Sequence, residues 1–332
     1  MEIKVIYKSV VKRTDIWDYY NKGISAPNLS DAEDCCRFIT EFMKYSEKTK
    51  TVLFEGICYL KENDPWRLNH IVSTFFLGLW FFRHNRNRFI HNVITKELRN
   101  LNCFQNNIDD IDRQFTYIWF MATLFHDLGY IAENKKDGEA ISSHHIPYDN
   151  SVPDFYSNVY EQYYNYREKH EHGIFAGLKF DRDICDIRNF QEHNDKSNLS
   201  WRKELEQLYH YVAWIILAHN IWMIRDDEKY LTNYQNAGLK QLILSSEKVN
   251  NKFVEYKIKF EEHPLFVFFC IIDTIEPLKS TNCLSKVDIQ LKGDKIIVKS
   301  NDTVYRQKVK DLNKWLTPTI EDKDRVIINL KM

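Results

Sequence analysis

Apolar residues recur at helical spacing through most of the chain before residue 280. The clearest helix begins near Pro65, and its apolar positions fall on one face: Leu68, Ile71, Val72, Phe75, Phe76, Leu79 and Trp80. The same spacing predicts helices over 31–48, 110–127, 159–179, 199–220 and 264–279. Pro65 and Pro264 suit the first turn of a helix, because the N–H that proline lacks would have no partner there. This part of the chain therefore predicts an all-α domain.

After residue 280 the pattern changes to short segments that alternate or are rich in β-branched residues. Val287-Asp-Ile-Gln-Leu, Lys295-Ile-Ile-Val-Lys and Arg325-Val-Ile-Ile-Asn-Leu predict strands, with turns at Gly293-Asp294 and Asn301-Asp302. A short helix is predicted over 310–316, and Lys308, Lys310 and Lys314 are expected on a solvated face. We predict a mainly α protein in three parts. These are an N-terminal helical extension (1–55), a helical domain (56–280) and a small β-rich α+β appendage (281–332).

The composition narrows the classes of protein to consider. The 332 residues include only nine glycines and seven prolines, so few residues interrupt the predicted helices. A formal net charge of −1 gives no strong signal for nucleic-acid binding. The longest apolar runs, 75–82 and 267–272, are far shorter than the roughly 20 residues that span a bilayer. We expect no membrane partner and a cytoplasmic location, because the N-terminus has no signal-peptide pattern and the cysteines have no CxxC spacing. Homo-oligomer formation is left open.

The dipeptide His126-Asp127 closes the apolar run 118–125. A buried, unpaired carboxylate is costly, and a metal cation would remove that cost. Similar residues lie in or beside other predicted helices: His70, His172, His219 and Asp273. Asp273 follows the apolar segment 266–272, where an acidic residue needs compensation. Four imidazoles and two carboxylates suit Mn, Fe, Co, Ni or Zn better than Mg or Ca.

The six candidate ligands exceed what one catalytic metal with open positions requires. Two divalent ions that share Asp127 as a bridging carboxylate would use the set better than one. His170, His144 and His145 are alternatives to His172 for the second metal. Each candidate also has a plain structural interpretation, as a satisfied core histidine or, for Asp273, as a carboxylate paired with Lys279 or Arg67.

Taken in order, these motifs resemble the HD-domain metal-dependent phosphohydrolase superfamily. Leu124-Phe-His-Asp-Leu-Gly-Tyr130 is similar to its central motif, and Trp66-Arg-Leu-Asn-His70 to its first-ligand helix. Ala218-His-Asn220 and Ile272-Asp-Thr-Ile-Glu276 are similar to its late helices. The resemblance spans residues 65–279 and implies an HD-domain helical bundle. It implies one metal held by His70, His126, Asp127 and Asp273, and a second that adds His172 and His219.

The resemblance also implies hydrolysis of a phosphoester or phosphoanhydride in a small phosphorylated substrate, such as a nucleotide or cyclic nucleotide. Asp127 and His126 would be the catalytic residues, and water activated by the metals would attack phosphorus. Arg67, Lys279 and His145 are the candidates to contact the substrate. Leu128-Gly129-Tyr130 stands where guanosine tetraphosphate hydrolases have an acidic pair. Many cyclic-dinucleotide phosphodiesterases have a lysine after HD-Leu-Gly, and that lysine is also absent.

Two other functions fit the same motifs. The six-ligand order also occurs in HD-fold di-iron oxygenases, and the ligand types do not separate iron from manganese. The domain could alternatively be a non-catalytic sensor that binds a nucleotide and signals through the β-rich appendage. The first alternative predicts a coloured, redox-active protein, and the second predicts nucleotide binding without turnover.

Overall fold

The computed structural model describes residues 6, 27–42, 56–85, 88–100, 108–131, 171–194, 206–220, 248–249, 252–253, 260–261, 263–281, 286–316 and 319–331. In these residues the chain is mostly helical, and a small antiparallel sheet lies near the C-terminus. The predicted mainly α class with a C-terminal α+β portion is therefore confirmed. The three predicted part boundaries remain a prediction.

The helices extend from residue 32 to residue 315. Their bounds are α1 Ala32–Phe42, α2 Pro65–His84, α3 Phe89–Asn100, α4 Ile108–Phe125, α5 His172–Asn194, α6 Glu206–Ala218, α7 Pro264–Ile275, α8 Leu278–Thr281 and α9 Thr303–Trp315. Residues 56–63 are also helical. The predicted starts at Pro65 and Pro264 are confirmed.

Two predicted helix ends are wrong. The helix predicted over 264–279 stops at Ile275, because Glu276 precedes Pro277 and takes an extended backbone conformation with ψ 120°. The helix predicted to end at 179 continues as α5 to Asn194, through a mixed polar segment in which Phe180 and Ile184 are still buried. The predicted helical segments 43–48, 159–170 and 199–205 lie outside the described residues.

Helix α2 is at the centre of the helical core. Its residues from Ile71 to Phe82 are all buried, as expected for a helix that is surrounded by others. Helices α4 and α7 run antiparallel to it: Phe82 near its end stacks on Phe115 near the start of α4, with ring centroids 3.7 Å apart. No described helix, α2 included, is both long enough and apolar enough to cross a bilayer.

The antiparallel packing places three chain segments at one end of the core. These are the second turn of α2, the turn after α4 and the last turn of α7. Trp119 fixes how closely α4 approaches α2, because its indole N–H donates to the carbonyl of Phe75 at 3.0 Å. Its ring lies directly against Gly78, where a Cβ atom would come within 2.2 Å of the indole.

The C-terminal sheet unit comprises residues 286–316 and 319–331. Its strands are β3 Val287–Lys292, β4 Lys295–Ser300, β5 Thr319–Asp322 and β6 Arg325–Asn329, in the antiparallel order β3-β4-β6-β5. Earlier in the chain, β1 Lys248–Val249 pairs with β2 Lys252–Phe253. The three predicted strands are confirmed, and β5 was not predicted. Gly293, with φ 64°, forms the predicted turn between β3 and β4.

The turn predicted at Asn301-Asp302 is the start of α9 instead. The carboxylate of Asp302 accepts a hydrogen bond from the backbone N–H of Tyr305 at 3.0 Å, so Asp302 is the N-cap. The helix therefore begins at Thr303, earlier than the predicted 310. The buried hydroxyl of Tyr305 donates to the carbonyl of Ile275, which joins the C-terminal sheet unit to the end of α7.

Gly78→Ala tests the packing between α2 and α4. We expect a loss of about 3 kcal/mol in the free energy of unfolding, because the added methyl group overlaps a fully buried indole. Gly56→Ala is the matched control, since its Cβ would lie 3.3 Å from the flexible Leu128 side chain. Urea unfolding should show the control within about 1 kcal/mol of the native protein. Equal stability of the two variants would contradict this packing.

Glu97 of α3 connects α6 to the start of α7. It accepts hydrogen bonds from the Tyr211 hydroxyl and, at 2.8 Å, from the backbone N–H of Leu265 in the first turn of α7. Burial raises the pKa of Glu97 to about 7, from an ordinary 4.5, although both hydrogen bonds act in the opposite direction.

This raised pKa predicts a pH dependence of stability. Between pH 4.5 and about 7 the unfolded chain releases the Glu97 proton while the folded chain retains it, so the free energy of unfolding falls as the pH rises. Glu97→Gln should remove this contribution and flatten the profile in that window. The check is urea unfolding at pH 5, 6 and 7.5 for both proteins, and parallel profiles would contradict the assignment.

Candidate metal centre

Six side chains predicted as ligands meet at the end of the helical core. His70 is in the second turn of α2, and His126 and Asp127 occupy the turn directly after α4. The others come from the first residue of α5, the turn after α6 and the last turn of α7: His172, His219 and Asp273. All six are buried. The structure thus brings together residues that are more than 200 positions apart in the chain.

Two groups of donor atoms can each surround one ion. In the first, ligand atoms of His70, His126 and Asp127 all lie within 4.8 Å of one another, and in the second so do those of Asp127, His172 and His219. Asp127 belongs to both groups. Its Oδ1 is 3.4 Å from Nε2 of His126 and 3.4 Å from Nε2 of His172. The predicted bridging position of Asp127 matches this arrangement.

Asp273 lies beside the first group. Its Oδ1 is 3.0 Å from Nε2 of His70 and 3.5 Å from Nε2 of His126, and its Oδ2 is paired with Lys279. The Lys279 ion pair is also the compensation that the plain structural interpretation of Asp273 requires. Burial alone would raise the pKa of Asp273, but Lys279 and the two histidines hold it well below its ordinary value. Asp273 is therefore an ionised oxygen donor directed at the first group.

His126 and His219 direct their Nε2 atoms at the centre in the same way. Each follows the last residue of a helix, and its Nδ1–H donates to the carbonyl three residues earlier: Thr123 at 2.7 Å and Ile216 at 2.6 Å. A carbonyl only accepts, so Nδ1 carries the proton and Nε2 has a free lone pair. Burial is the main cause that holds the pKa of His219 well below its ordinary value, and the nearby His172 is the next. This imidazole is therefore neutral.

Four buried polar atoms at the centre have no hydrogen-bond partner among the described residues. They are Nε2 of His126, Nε2 of His219 and both carboxylate oxygens of Asp127. Leaving one such atom unpaired costs roughly 1–3 kcal/mol. Divalent transition ions fit this set, because neutral imidazole nitrogens and a carboxylate are their usual ligands. The centre could hold a metal ion, as the sequence predicts.

Glu276 contacts His70 on Nδ1, the ring nitrogen that does not face Asp273. Its Oε2 is 2.6 Å from Nδ1 of His70, and the carboxylate also accepts from the Ser73 hydroxyl and from two backbone N–H groups at 3.0 and 3.1 Å. Burial lowers the pKa of His70, but Asp273 and Glu276 outweigh it and raise the pKa to about 9. Glu276 thus orients the ring whose Nε2 faces Asp273. Glu276 was not predicted as a site residue, although it lies three residues after Asp273.

A planar stack covers His172. The Arg67 guanidinium lies 3.4 Å from the centroid of the Tyr130 ring, and that ring stacks on His172 with centroids 3.9 Å apart. Arg67 also approaches the centre, with Nη1 3.5 Å from Oδ2 of Asp127. Asn220 also contacts this histidine: its amide nitrogen donates to Glu171 at 3.0 Å and lies 3.2 Å from Nε2 of His172. Tyr130, Glu171 and Asn220 were not predicted as site residues.

Glycine is required where the central turn meets α5. A Cβ on Gly129 would lie 1.9 Å from the backbone carbonyl oxygen of His172, so a side chain there would push α5 away. Gly173 has a similar role, because its Cβ would lie 3.0 Å from the His219 ring. These close contacts hold His172 against the His126-Asp127 turn.

The predicted substrate contacts remain a prediction. Arg67 and Lys279 each lie beside a carboxylate of the centre. His145 lies outside the described residues, as do the alternative ligands His144 and His170. No protein-family model, curated protein or solved structure matches this chain.

Metal content tests the shared position of Asp127. We expect Asp127→Asn to weaken the binding of transition metal by at least about tenfold, because both groups of donors lose a member. His219→Ala should affect one group only and so remove less metal. Elemental analysis by mass spectrometry after dialysis checks this, with circular dichroism to verify folding.

His84→Ala is the matched control for these variants. His84 is the last residue of α2, at the far end of the helix from His70, and it is exposed. Its replacement should leave the metal content unchanged. Native metal content in Asp127→Asn would contradict the proposed centre.

Proposed function

We propose that the protein is a metal-dependent phosphohydrolase of the HD-domain type. It would hydrolyse a phosphoester or phosphoanhydride bond in a small phosphorylated molecule, such as a nucleotide. The observation that carries this proposal is the position of Asp127 between two histidine groups, each compact enough to hold one ion. When bound, divalent ions would supply Lewis-acid activation of water and of a phosphoryl oxygen.

The ligand roles follow from the two groups. His70, His126 and Asp273 would hold one ion, His172 and His219 the other, and Asp127 both. The Nδ1 hydrogen bonds of His126 and His219 keep their Nε2 lone pairs aimed before any ion arrives. Such preorganisation matters because a side chain that is already oriented loses little entropy on binding.

Asp127 is also placed to act on the attacking water. Its two buried oxygens accept no hydrogen bond from any described residue, so they are available to accept one from water. Burial raises the pKa of this carboxyl, but His126, His172 and His70 override that effect and hold the pKa well below its ordinary value. The carboxylate would orient the water in line with the phosphorus rather than take its proton permanently.

Arg67 is the residue best placed to contact the phosphoryl group. Its guanidinium is fixed on three sides, by Asp64 at 2.6 Å and by the rings of Trp66 and Tyr130. Its Nη1 lies 3.5 Å from Asp127, so a phosphoryl oxygen held beside that carboxylate would come within its reach. The apolar surroundings of the centre would strengthen this interaction.

Turnover tests the proposal. The protein, supplied in turn with Mn²⁺, Fe²⁺, Co²⁺, Ni²⁺ and Zn²⁺, should release phosphate or a phosphomonoester from some of a set of nucleotides, cyclic nucleotides and simple phosphoesters. Asp127→Asn and His126→Ala should each reduce turnover by at least about a thousandfold, because the activated water is no longer held in line. The exposed His84→Ala variant should retain full activity.

Three outcomes would contradict a phosphohydrolase. Absence of turnover with every phosphate ester and every metal is the first. Substrate oxidation coupled to dioxygen consumption, with visible absorbance from bound iron, would indicate the oxygenase instead. Tight nucleotide binding without turnover, in protein that contains metal, would indicate the sensor.

A further inference from the structure

The four histidines of the centre are not held in the same way. In three of them Nδ1 has a hydrogen-bond partner, which is a carboxylate in one case and a backbone carbonyl in the other two. Nδ1 of His172 has no such partner among the described residues, and the Glu171 carboxylate lies 3.9 Å from it, beyond hydrogen-bond distance. Another contact has to keep the His172 ring facing Asp127.

The hydrogen bond at the other ring nitrogen cannot do this once metal is bound. Nε2 of His172 lies 3.2 Å from the amide nitrogen of Asn220, which also donates to Glu171. An amide nitrogen is only a donor, so it donates to the Nε2 lone pair as well. An ion bound at Nε2 would have to displace this hydrogen bond. Nε2 of His126 and of His219 carries no such competing contact from the described residues.

The Tyr130 ring is the contact that remains. It lies nearly parallel to the His172 imidazole, with 16° between the planes and 3.9 Å between the centroids. The turn after α4 brings it there, because the backbone N–H of Tyr130 donates to the carbonyl of Asp127 at 3.3 Å. Stacking covers a face of the imidazole and leaves the nitrogens at its edge accessible. The contact is therefore compatible with an ion at Nε2.

Arg67 holds the Tyr130 ring from its opposite face. The guanidinium carbon lies 3.4 Å from the Tyr130 centroid, and the His172 ring lies 3.9 Å from the same centroid. Two groups that close cannot share one face of a ring without overlapping. The guanidinium is itself fixed by Asp64, at 2.6 Å from Nε. The Tyr130 ring is thus clamped between a fixed cation and the ligand imidazole.

We propose that Tyr130 is the positioning residue of the second metal group, which consists of Asp127, His172 and His219. For His172 its ring takes the place of the Nδ1 hydrogen bond that the other three imidazoles have. The second group consequently binds its ion more weakly than the first, and its affinity depends on an aromatic ring at Tyr130. The inference rests on the proposed function, in which Asp127 shares two ions.

Titration of metal-free protein with Mn²⁺, followed by electron paramagnetic resonance, tests this role. Free Mn²⁺ has its own signal, and two ions that share a carboxylate give a coupled spectrum that an isolated bound ion does not. The native protein should bind two ions in two steps. Tyr130→Leu should weaken the second step by about tenfold or more and remove the coupled spectrum. The first step should stay within about threefold of native, because the Tyr130 ring stacks on no other ligand.

The control variants separate the ring from the hydroxyl and from general packing. Tyr130→Phe keeps the ring, so both steps should stay within about threefold of the native affinities. Tyr117→Leu is the matched control, because Tyr117 is also a half-buried tyrosine, in the middle of α4, and it should leave both steps unchanged. Tyr130→Met serves in place of Tyr130→Leu if the leucine variant does not fold, which circular dichroism shows.

The measurement needs no turnover, so it can fail separately from the proposed function. A native second step in Tyr130→Leu would overturn the positioning role. Equal losses in both steps would overturn it as well, since they would indicate general packing, and so would an equal loss in Tyr130→Phe. A native protein that binds only one ion would also contradict it. Selective loss of the second ion in a protein without hydrolytic activity would support the role and count against the proposed function alone.

Discussion

The architecture depends on a buried carboxylate that the rest of the described chain does not satisfy by hydrogen bonding. Both oxygens of Asp127 are buried, and the nearest fixed positive charge is the Arg67 guanidinium, 3.5 Å away. A carboxylate in such a position is destabilising unless cations surround it. Four imidazole rings lie around it, from four different segments of the chain. The fold thus places this carboxylate where it needs positive charge, and a metal ion held by the same histidines would supply that charge.

Two of the four histidines reach their positions through the C-terminal ends of helices. The last carbonyls of an α-helix have no partner within it, and a histidine placed directly after the helix can donate to one of them. His126 does this at the end of α4 and His219 at the end of α6. The interpretation of His219 as a helix-closing residue and its interpretation as a ligand are therefore compatible: one ring nitrogen closes the helix and the other faces the centre.

Much of this arrangement could be predicted from local pattern, and the rest depends on long-range contacts. Apolar spacing and proline positions were enough to place α2 and the start of α7. The six ligand candidates were His and Asp residues in or beside predicted helices, in an order that resembles HD-domain proteins. Glu276 could not be assigned, because its role arises only when His70, 206 positions away, packs against it. Tyr130 was missed for the same reason, and so was the partial burial of Lys308, which was expected on a solvated face: the ring stack and the packing of α9 against α7 involve surfaces that no local pattern describes.

Anomalous diffraction from crystals grown with Mn²⁺ would test the central claim most directly. The account predicts two peaks about 3.5–4 Å apart, one on each side of the Asp127 carboxylate. The first would be coordinated by His70, His126 and Asp273, and the second by His172 and His219. A map with no peak within about 2.5 Å of an Asp127 oxygen would contradict it.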